Sequence, residues 1–181
     1  MLTPLQIAKQ SHFFKILDFD SNKTIERDDF EAIGENLCLI RDFDYGSEEE
    51  AMMMKLVTSI WDKVEPYLET DHCTLKNWLE IMDKILGNAD EQWFNKYVGE
   101  FVTTLFNLFD INQDGFISQT EYIDLFIGLR IEVRFAPKAF RNLDLNRDGK
   151  ISRDELMQSV IEFIRSNDPA KSGNWLFGAW A

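Results

Sequence analysis

Two stretches of twelve residues constrain this chain more than anything else in it. "DINQDGFISQTE" runs from Asp110 to Glu121, and "DLNRDGKISRDE" runs from Asp144 to Glu155, thirty-four residues further on. The first sets Asp110, Asn112 and Asp114 at positions 1, 3 and 5, Ser118 at 9 and Glu121 at 12. The second sets Asp144, Asn146, Asp148, Ser152 and Glu155 at the same offsets. A hard divalent cation such as calcium takes six to eight oxygens at about 2.3–2.6 Å. A loop of this length wraps one when positions 1, 3 and 5 give side-chain oxygens, position 7 a backbone carbonyl and position 12 a bidentate acid. Phe116 and Lys150 stand at position 7 and offer their carbonyls. Position 6 turns sharply, and both stretches place glycine there, Gly115 and Gly149. Ile117 and Ile151, at position 8, are expected to pair with each other.

A third stretch, "DFDSNKTIERDD" from Asp18 to Asp29, follows the pattern with two departures. Asp18, Asp20 and Asn22 hold positions 1, 3 and 5, Thr24 gives position 7, and Glu26 lies at 9. Lys23 replaces the glycine at position 6, where a left-handed backbone costs a side chain about 1 kcal/mol. Asp29 replaces the glutamate at position 12 and is one methylene shorter. A shorter arm tends to give one oxygen rather than two, which suits magnesium, octahedral at about 2.0–2.1 Å. This loop is expected to bind with less preference for calcium over magnesium. The third loop carries three acids and no base, whereas Arg147, Lys150 and Arg153 surround the fourth. The expected order for calcium is therefore third, fourth, first.

A fourth unit fails. With its twelfth position at Asn77, Pro66 falls at position 1 and Leu68 at position 3, and neither side chain offers an oxygen. Asp71 and His72 beside Cys73 make a weak case for a transition metal. The unit reads as structural, with Cys73 pairing across to Ile25.

Helical periodicity fills the space between these loops. Thr3 caps a helix with Pro4 at its first position and Leu5, Ile7, Phe13, Phe14 and Leu17 as its apolar face. A second helix follows the first loop, with Phe30, Ile33, Leu37 and Ile40 on one side. Ser47 followed by Glu48, Glu49 and Glu50 starts a third, running through Met52, Leu56, Ile60, Trp61 and Val64 to about Tyr67. Thr74 caps "LKNWLEIMDKIL", and Gly87 in "GNAD" stops it. A long aromatic helix spans about Glu91 to Phe109. Three more are read at "TEYIDLFIGLR", "PKAFRNL" and "ELMQSVIEFIR". The tail carries Trp175, Phe177 and Trp180 and reads as an apolar cap. The expected architecture is all-α: four helix–loop–helix units in two packed lobes. The divisions are an N-terminal pair over 1–87, a C-terminal pair over 88–167 and a tail over 168–181.

With 181 residues, 45% apolar, the chain has enough for a sizeable core. Its net charge of -13 argues against nucleic acid and anionic membrane surfaces, which attract Lys and Arg. Two cysteines, Cys38 and Cys73, are too few for a disulfide framework and read as buried thiols, with a redox pair as the alternative. No secretory signal and no run of about 18 apolar residues is read, so a reducing, cytoplasmic setting and a monomer are expected. No nucleophile triad, phosphate loop or redox motif is present, so catalysis is not expected.

The twelve-residue loops resemble EF-hands. Binding loops one, three and four around a degenerate second, together with the length, the acidity and the tail "NDPAKSGNWLFG", resemble the sarcoplasmic calcium-binding proteins and their relatives calexcitin and calerythrin. The tail is also similar to those of calcium-regulated photoproteins. The resemblance implies a compact all-helical fold with the two lobes packed together, and calcium buffering or signalling rather than catalysis; the loops themselves call for two or three calcium ions, with magnesium possible at the first. Two alternatives stay open. One is a sensor that exposes an apolar surface, for which Met52, Met53, Met54 and Met82 are candidates. The other is a carrier of an apolar small molecule. With only His12 and His72 in the chain, luminescence is not expected.

Overall fold

Capping side chains mark where several of the helices begin. In this computed structural model, residues 1–87 and 90–179 are described. Thr3 accepts from the Gln6 amide, and Gln6 Oε1 accepts from the Thr3 amide, opening α1 (Pro4–Leu17). Ser47 accepts from Glu50 N–H and opens α3 (Glu48–Val64). Asp90 accepts from Gln92 and Trp93 and opens α5 (Glu91–Phe109). Each cap satisfies amides that the first helical turn leaves without partners. The other helices are α2 (Arg27–Ile40), α4 (Leu75–Gly87), α6 (Gln119–Gly128), α7 (Ala136–Leu143) and α8 (Arg153–Arg165).

Four two-residue strands lie inside the loops: β1 (Thr24–Ile25), β2 (Cys73–Thr74), β3 (Ile117–Ser118) and β4 (Lys150–Ile151). β1 pairs antiparallel with β2, Ile25 opposite Cys73, and β3 pairs with β4, Ile117 opposite Ile151. All four of those residues are buried. Both expected pairings are present, and each ties two loops back to back. The fold is all-helical, with two lobes sharing one apolar core that includes Phe13, Trp61, Phe94, Phe126 and Phe177.

The inner faces differ from the sequence reading in two helices. On α1, Ile7 is 41% exposed, while Gln6, Lys9 and Gln10 are buried. The reason is the tail and the end of α8. Gln6 Nε2 donates to Arg165 O, and Lys9 Nζ donates to the carbonyls of Glu162 and Ser166 and to Asn174 Oδ1. Polar partners on one side turn the helix so that polar residues face inward. On α3, Met52 is 67% exposed and the buried residues are Met53, Val57 and Trp61; of the apolar residues named along this helix, Trp61 is buried and Leu56, Ile60 and Val64 are half-buried against the core. Two helices also end earlier than expected. Past Val64 a single 3-10 turn, Glu65–Tyr67, contains Pro66. Past Gly128, Arg130 enters the left-handed region at φ 54°.

The tail lies flush on α8. Glu162 Oε2 accepts from Gly173 N–H and Ser172 Oγ, both at 3.0 Å. A Cβ at Gly173 would meet Glu162 Cβ at 2.6 Å and also the Ser159 carbonyl, so only glycine fits. Leu176 and Phe177 are buried, Phe177 stacks on Phe13 with centroids 4.3 Å apart, and Tyr122 Oη donates to Leu176 O at 2.7 Å. Trp175 is partly buried under the ammonium of Lys138. Trp180, also expected in this cap, lies outside the described residues. Cys38 and Cys73 are free and buried.

Candidate metal centres

The three candidate loops share one backbone. Position 1 ends its helix at φ -71°, ψ 75° for Asp18, -75°, 82° for Asp110 and -72°, 83° for Asp144. Position 4 is left-handed in each, at φ 63° for Ser21, 56° for Gln113 and 62° for Arg147. Position 6 is left-handed too, at 76° for Lys23, 85° for Gly115 and 86° for Gly149. Lys23 therefore adopts the glycine conformation, at a cost of about 1 kcal/mol. The degenerate unit has no left-handed residue between Pro66 and Asn77.

Position 12 is fixed identically three times. Glu121 Oε1 accepts from the amides of Ile111 and Asn112, and its Oε2 accepts from Ser118 N–H. Glu155 takes Leu145, Asn146 and Ser152 in the same way. Asp29, despite the missing methylene, takes Phe19 at 2.8 Å and Asp20 at 3.3 Å on Oδ1, and Glu26 at 2.8 Å on Oδ2. The first loop therefore keeps the same contacts with a shorter arm. One carboxylate oxygen each from Asp18, Asp20 and Asp29 come within 4.8 Å of one another.

Position 12 is buried in each loop, and so is position 1 in Asp18 and Asp144, while Asp110 is half-buried and positions 3 and 5 face outward. Asp110 and Asp144 each accept from the amides of positions 5 and 6: Asp114 and Gly115, Asp148 and Gly149. Asn112 and Asn146 each donate an amide hydrogen to the position 5 aspartate, Asp114 or Asp148. In the first loop, Asp18 Oδ2 accepts from Lys23 N–H, but Asp18 Oδ1 is buried with no partner. A buried, unpaired carboxylate oxygen costs free energy unless a donor or cation meets it. All-oxygen donors with that orphaned atom fit a hard divalent cation. Thr24, Phe116 and Lys150 hold position 7 at the start of or just before the short strands β1, β3 and β4. The Lys150 ammonium lies 3.7 Å from the Phe116 ring centroid, and Arg153 packs over Phe106 and donates to Thr103. Two of the three bases around the fourth loop thus occupy aromatic faces.

The environments of position 12 differ in their effect on protonation. Burial pushes the Asp29 carboxyl up, and the amides of Glu26, Asp20 and Phe19 only partly offset it. Burial raises Glu155 as well, but hydrogen bonds from Ser152, Asn146 and Leu145 outweigh it and hold that carboxyl below its ordinary value.

The degenerate unit keeps the frame without the ligands. Asn77 Oδ1 accepts from Thr74 N–H at 3.1 Å, and Asn77 N–H donates to Thr74 Oγ1 at 3.3 Å. This is the bond that Glu121 makes with Ser118. The His72 ring pairs with Asp71, and the His72 carbonyl accepts from Thr70 Oγ1, at an exposed corner. Sequence reading missed Arg41 and Arg130, which reach loops in the opposite lobe; only their distant partners reveal them.

The family model described as EF hand matches residues 138–161, and the one described as EF-hand domain pair matches residues 79–127. Calerythrin of Saccharopolyspora erythraea is 26% identical over 166 residues, covering 90% of this chain and 94% of the relative. The coelenterazine-binding protein of Renilla muelleri, in its calcium-loaded apo form, superposes with a TM-score of 0.80 at 19% identity, covering 98% of this chain and 99% of the other. A sarcoplasmic calcium-binding protein from amphioxus superposes with a TM-score of 0.72 at 17% identity, covering 99% of each chain. At these identities the structural likenesses establish the fold.

Proposed function

We propose, from the premise that the chain is an EF-hand protein resembling the sarcoplasmic calcium-binding proteins and calerythrin, that it binds calcium in its first, third and fourth loops and acts as a buffer. The ligands would be Asp18, Asp20, Asn22, Thr24 and Asp29; Asp110, Asn112, Asp114, Phe116 and Glu121; and Asp144, Asn146, Asp148, Lys150 and Glu155. The observation that carries the assignment is the threefold repeat of one loop backbone, with the position 12 acid held by three amides each time. Bound there, the cation supplies charge that neutralises each acidic ring. The side chains and carbonyls place the oxygens, and the shorter Asp29 arm makes the first loop the one most open to magnesium. The working divisions are 1–87, 88–167 and 168–181. The protein acts by binding rather than catalysis, as a cytoplasmic monomer.

Buffering is favoured over sensing because two of the four candidate methionines are already committed, although Met52 stands exposed. Met53 is buried, and Met54 Sδ packs where a Cβ on Gly34 would lie. The tail binds α1, α6 and α8 together. A sensor would have to undo these contacts. The carrier reading has one observation behind it, an apolar cavity of about 70 Å³ lined by Phe13, Trp78, Phe101, Phe163 and Phe177. A void of about 150 Å³ holds a benzene, so this one holds no multi-ring molecule unless the lobes part.

Calorimetric calcium titration with and without about 1 mM magnesium, a level that challenges calcium/magnesium sites, tests the proposal. Three sites, one of them slowed or weakened by magnesium, are expected. Two sites indifferent to magnesium would remove the first loop. A strong calcium-dependent rise in hydrophobic dye binding would favour the sensor.

A further inference from the structure

Two arginines cross between the lobes in opposite directions. Arg41 is the residue that ends α2, the outgoing helix of the first loop. Its Nη2 donates to the carbonyl of Leu108, two residues ahead of Asp110 at the start of the third loop. Its Nη1 lies 3.9 Å from Met53 Sδ, and its Nε is buried without a partner. Burial lowers its pKa, with Asp124 and Glu121 on α6 among the groups that pull it back.

Arg130 follows α6, the outgoing helix of the third loop. Its Nη1 donates to the carbonyl of Phe19 at 3.2 Å, and its guanidinium lies 3.7 Å from the Phe19 ring centroid. Phe19 sits between Asp18 and Asp20, and its amide is one of the three that hold Asp29. Asn36 Nδ2 donates to Gly128 O at 2.8 Å and joins the two outgoing helices directly.

We propose that the first and third loops are coupled across the lobes by these arginines, so that filling either raises the affinity of the other. This rests on the reading of both loops as ion sites. Asp29 and Glu121 lie in the first turns of α2 and α6, so whatever fixes either acid fixes its helix. The far end of each helix carries an arginine onto the segment that starts the other loop. Arg41 also places a cation at the C-terminal end of α5, where carbonyls lack helical partners. The path is a closed circuit: Asp29 through α2 and Arg41 to Asp110, then Glu121 through α6 and Arg130 to Asp18. Direct repulsion between Arg41 and a cation near Glu121 acts against this, but Glu121 and Asp124 already balance that arginine. Coupling between sites carried by such contacts is reciprocal.

The test is a calcium titration of 15N-labelled protein, reading the Lys23 amide for the first loop and the Gly115 amide for the third. The variants are Glu121→Gln, Arg130→Ala and both together. Arg130 is exposed, so its removal leaves the fold intact. Glu121→Gln is expected to weaken the first loop roughly fivefold or more. Arg130→Ala should do the same, and the double variant should add little. If both loops fill in the parent and Glu121→Gln leaves the first loop unchanged, the coupling is overturned while the assigned function stands. If neither loop fills in the parent, the assigned function falls and the coupling with it.

Discussion

The ammonium of Lys9 donates to Oδ1 of Asn174 at 2.9 Å, across 165 residues of chain. Two backbone carbonyls at the end of α8, Glu162 and Ser166, take its other hydrogens, and the side chain is fully buried. Replacing Asn174 with Ala leaves a buried charge one partner short, at a cost of about 1.5–3 kcal/mol. Replacing Lys9 with Met leaves Asn174 Oδ1 and the Ser166 carbonyl without this donor, at a cost of about 1–3 kcal/mol, while the Glu162 carbonyl keeps the Ser166 N–H. Because both remove the same bond, the double variant should cost less than the sum. Urea unfolding of the four proteins measures this, and strict additivity would show that the bond carries no energy.

The same lysine predicts a pH dependence. Burial lowers its pKa from 10.5 to about 8, with Glu162 recovering part of the loss. Between about pH 8 and 10.5 the unfolded chain still holds the proton that the folded chain has released. Stability contributed by this group therefore rises with pH in that window and is flat below it. The limit is about 1.4 kcal/mol per pH unit. Burial raises Cys73 to about 11, which acts the other way above its ordinary 9.0. The comparison should therefore be made against Lys9→Met between pH 7.5 and 9, where the parent should gain on the variant.

At the first loop, Lys23→Gly should relieve the left-handed lysine and stabilise the ion-free protein by about 1 kcal/mol. Asp29→Glu should restore the longer arm and shift the loop from magnesium toward calcium, by roughly tenfold in the ratio of affinities, a difference of about 1.4 kcal/mol. Competition calorimetry reads the second effect. An unchanged ratio would mean that the backbone, and not the length of residue 29, sets the choice of ion.

Gly173→Ala should lift the tail from α8, since the added Cβ meets the Ser159 carbonyl. Overpacking of this kind costs about 1–3 kcal/mol. Trp175 lies in the same turn, so its fluorescence should shift toward the exposed range at a denaturant concentration that leaves the parent intact.

Both thiols should resist alkylation until the protein unfolds. Burial raises the pKa of Cys38 and of Cys73, and the thiolate is the reactive form. Labelling followed by mass spectrometry should give a rate that tracks global opening. Fast labelling of Cys73 would indicate local opening of the β1–β2 pair.

The loops were legible because each candidate ligand sits at a fixed offset from its neighbours, so that Asp110 and Glu121 declare their partners within twelve residues. The strand pairs followed from Ile25, Ile117 and Ile151 at position 8. The orientation of α1 was not legible. Gln6, Lys9 and Gln10 look like a solvated face until Arg165, Ser166 and Asn174, and for Gln10 the indole of Trp78, are brought alongside, and nothing local to α1 announces them. Met52 and Met53 differ by one step around α3, and the sequence offers two equally apolar rows. Arg41 and Arg130 looked like ordinary charged helix ends because their partners, Leu108 and Phe19, are backbone carbonyls that carry no signature in composition.

The turn at Asn77 has a consequence in time. Its bonds with Thr74 come from a residue that is not a candidate ligand, and β2 lies paired beside β1. On the proposed assignment, the N-terminal lobe needs to close only one loop when an ion arrives. In the C-terminal lobe, β3 and β4 would both belong to ion-binding loops, and two closures would have to occur together. The first lobe would then respond at the pace at which an ion sheds its water, and the second at the pace at which two loops find each other.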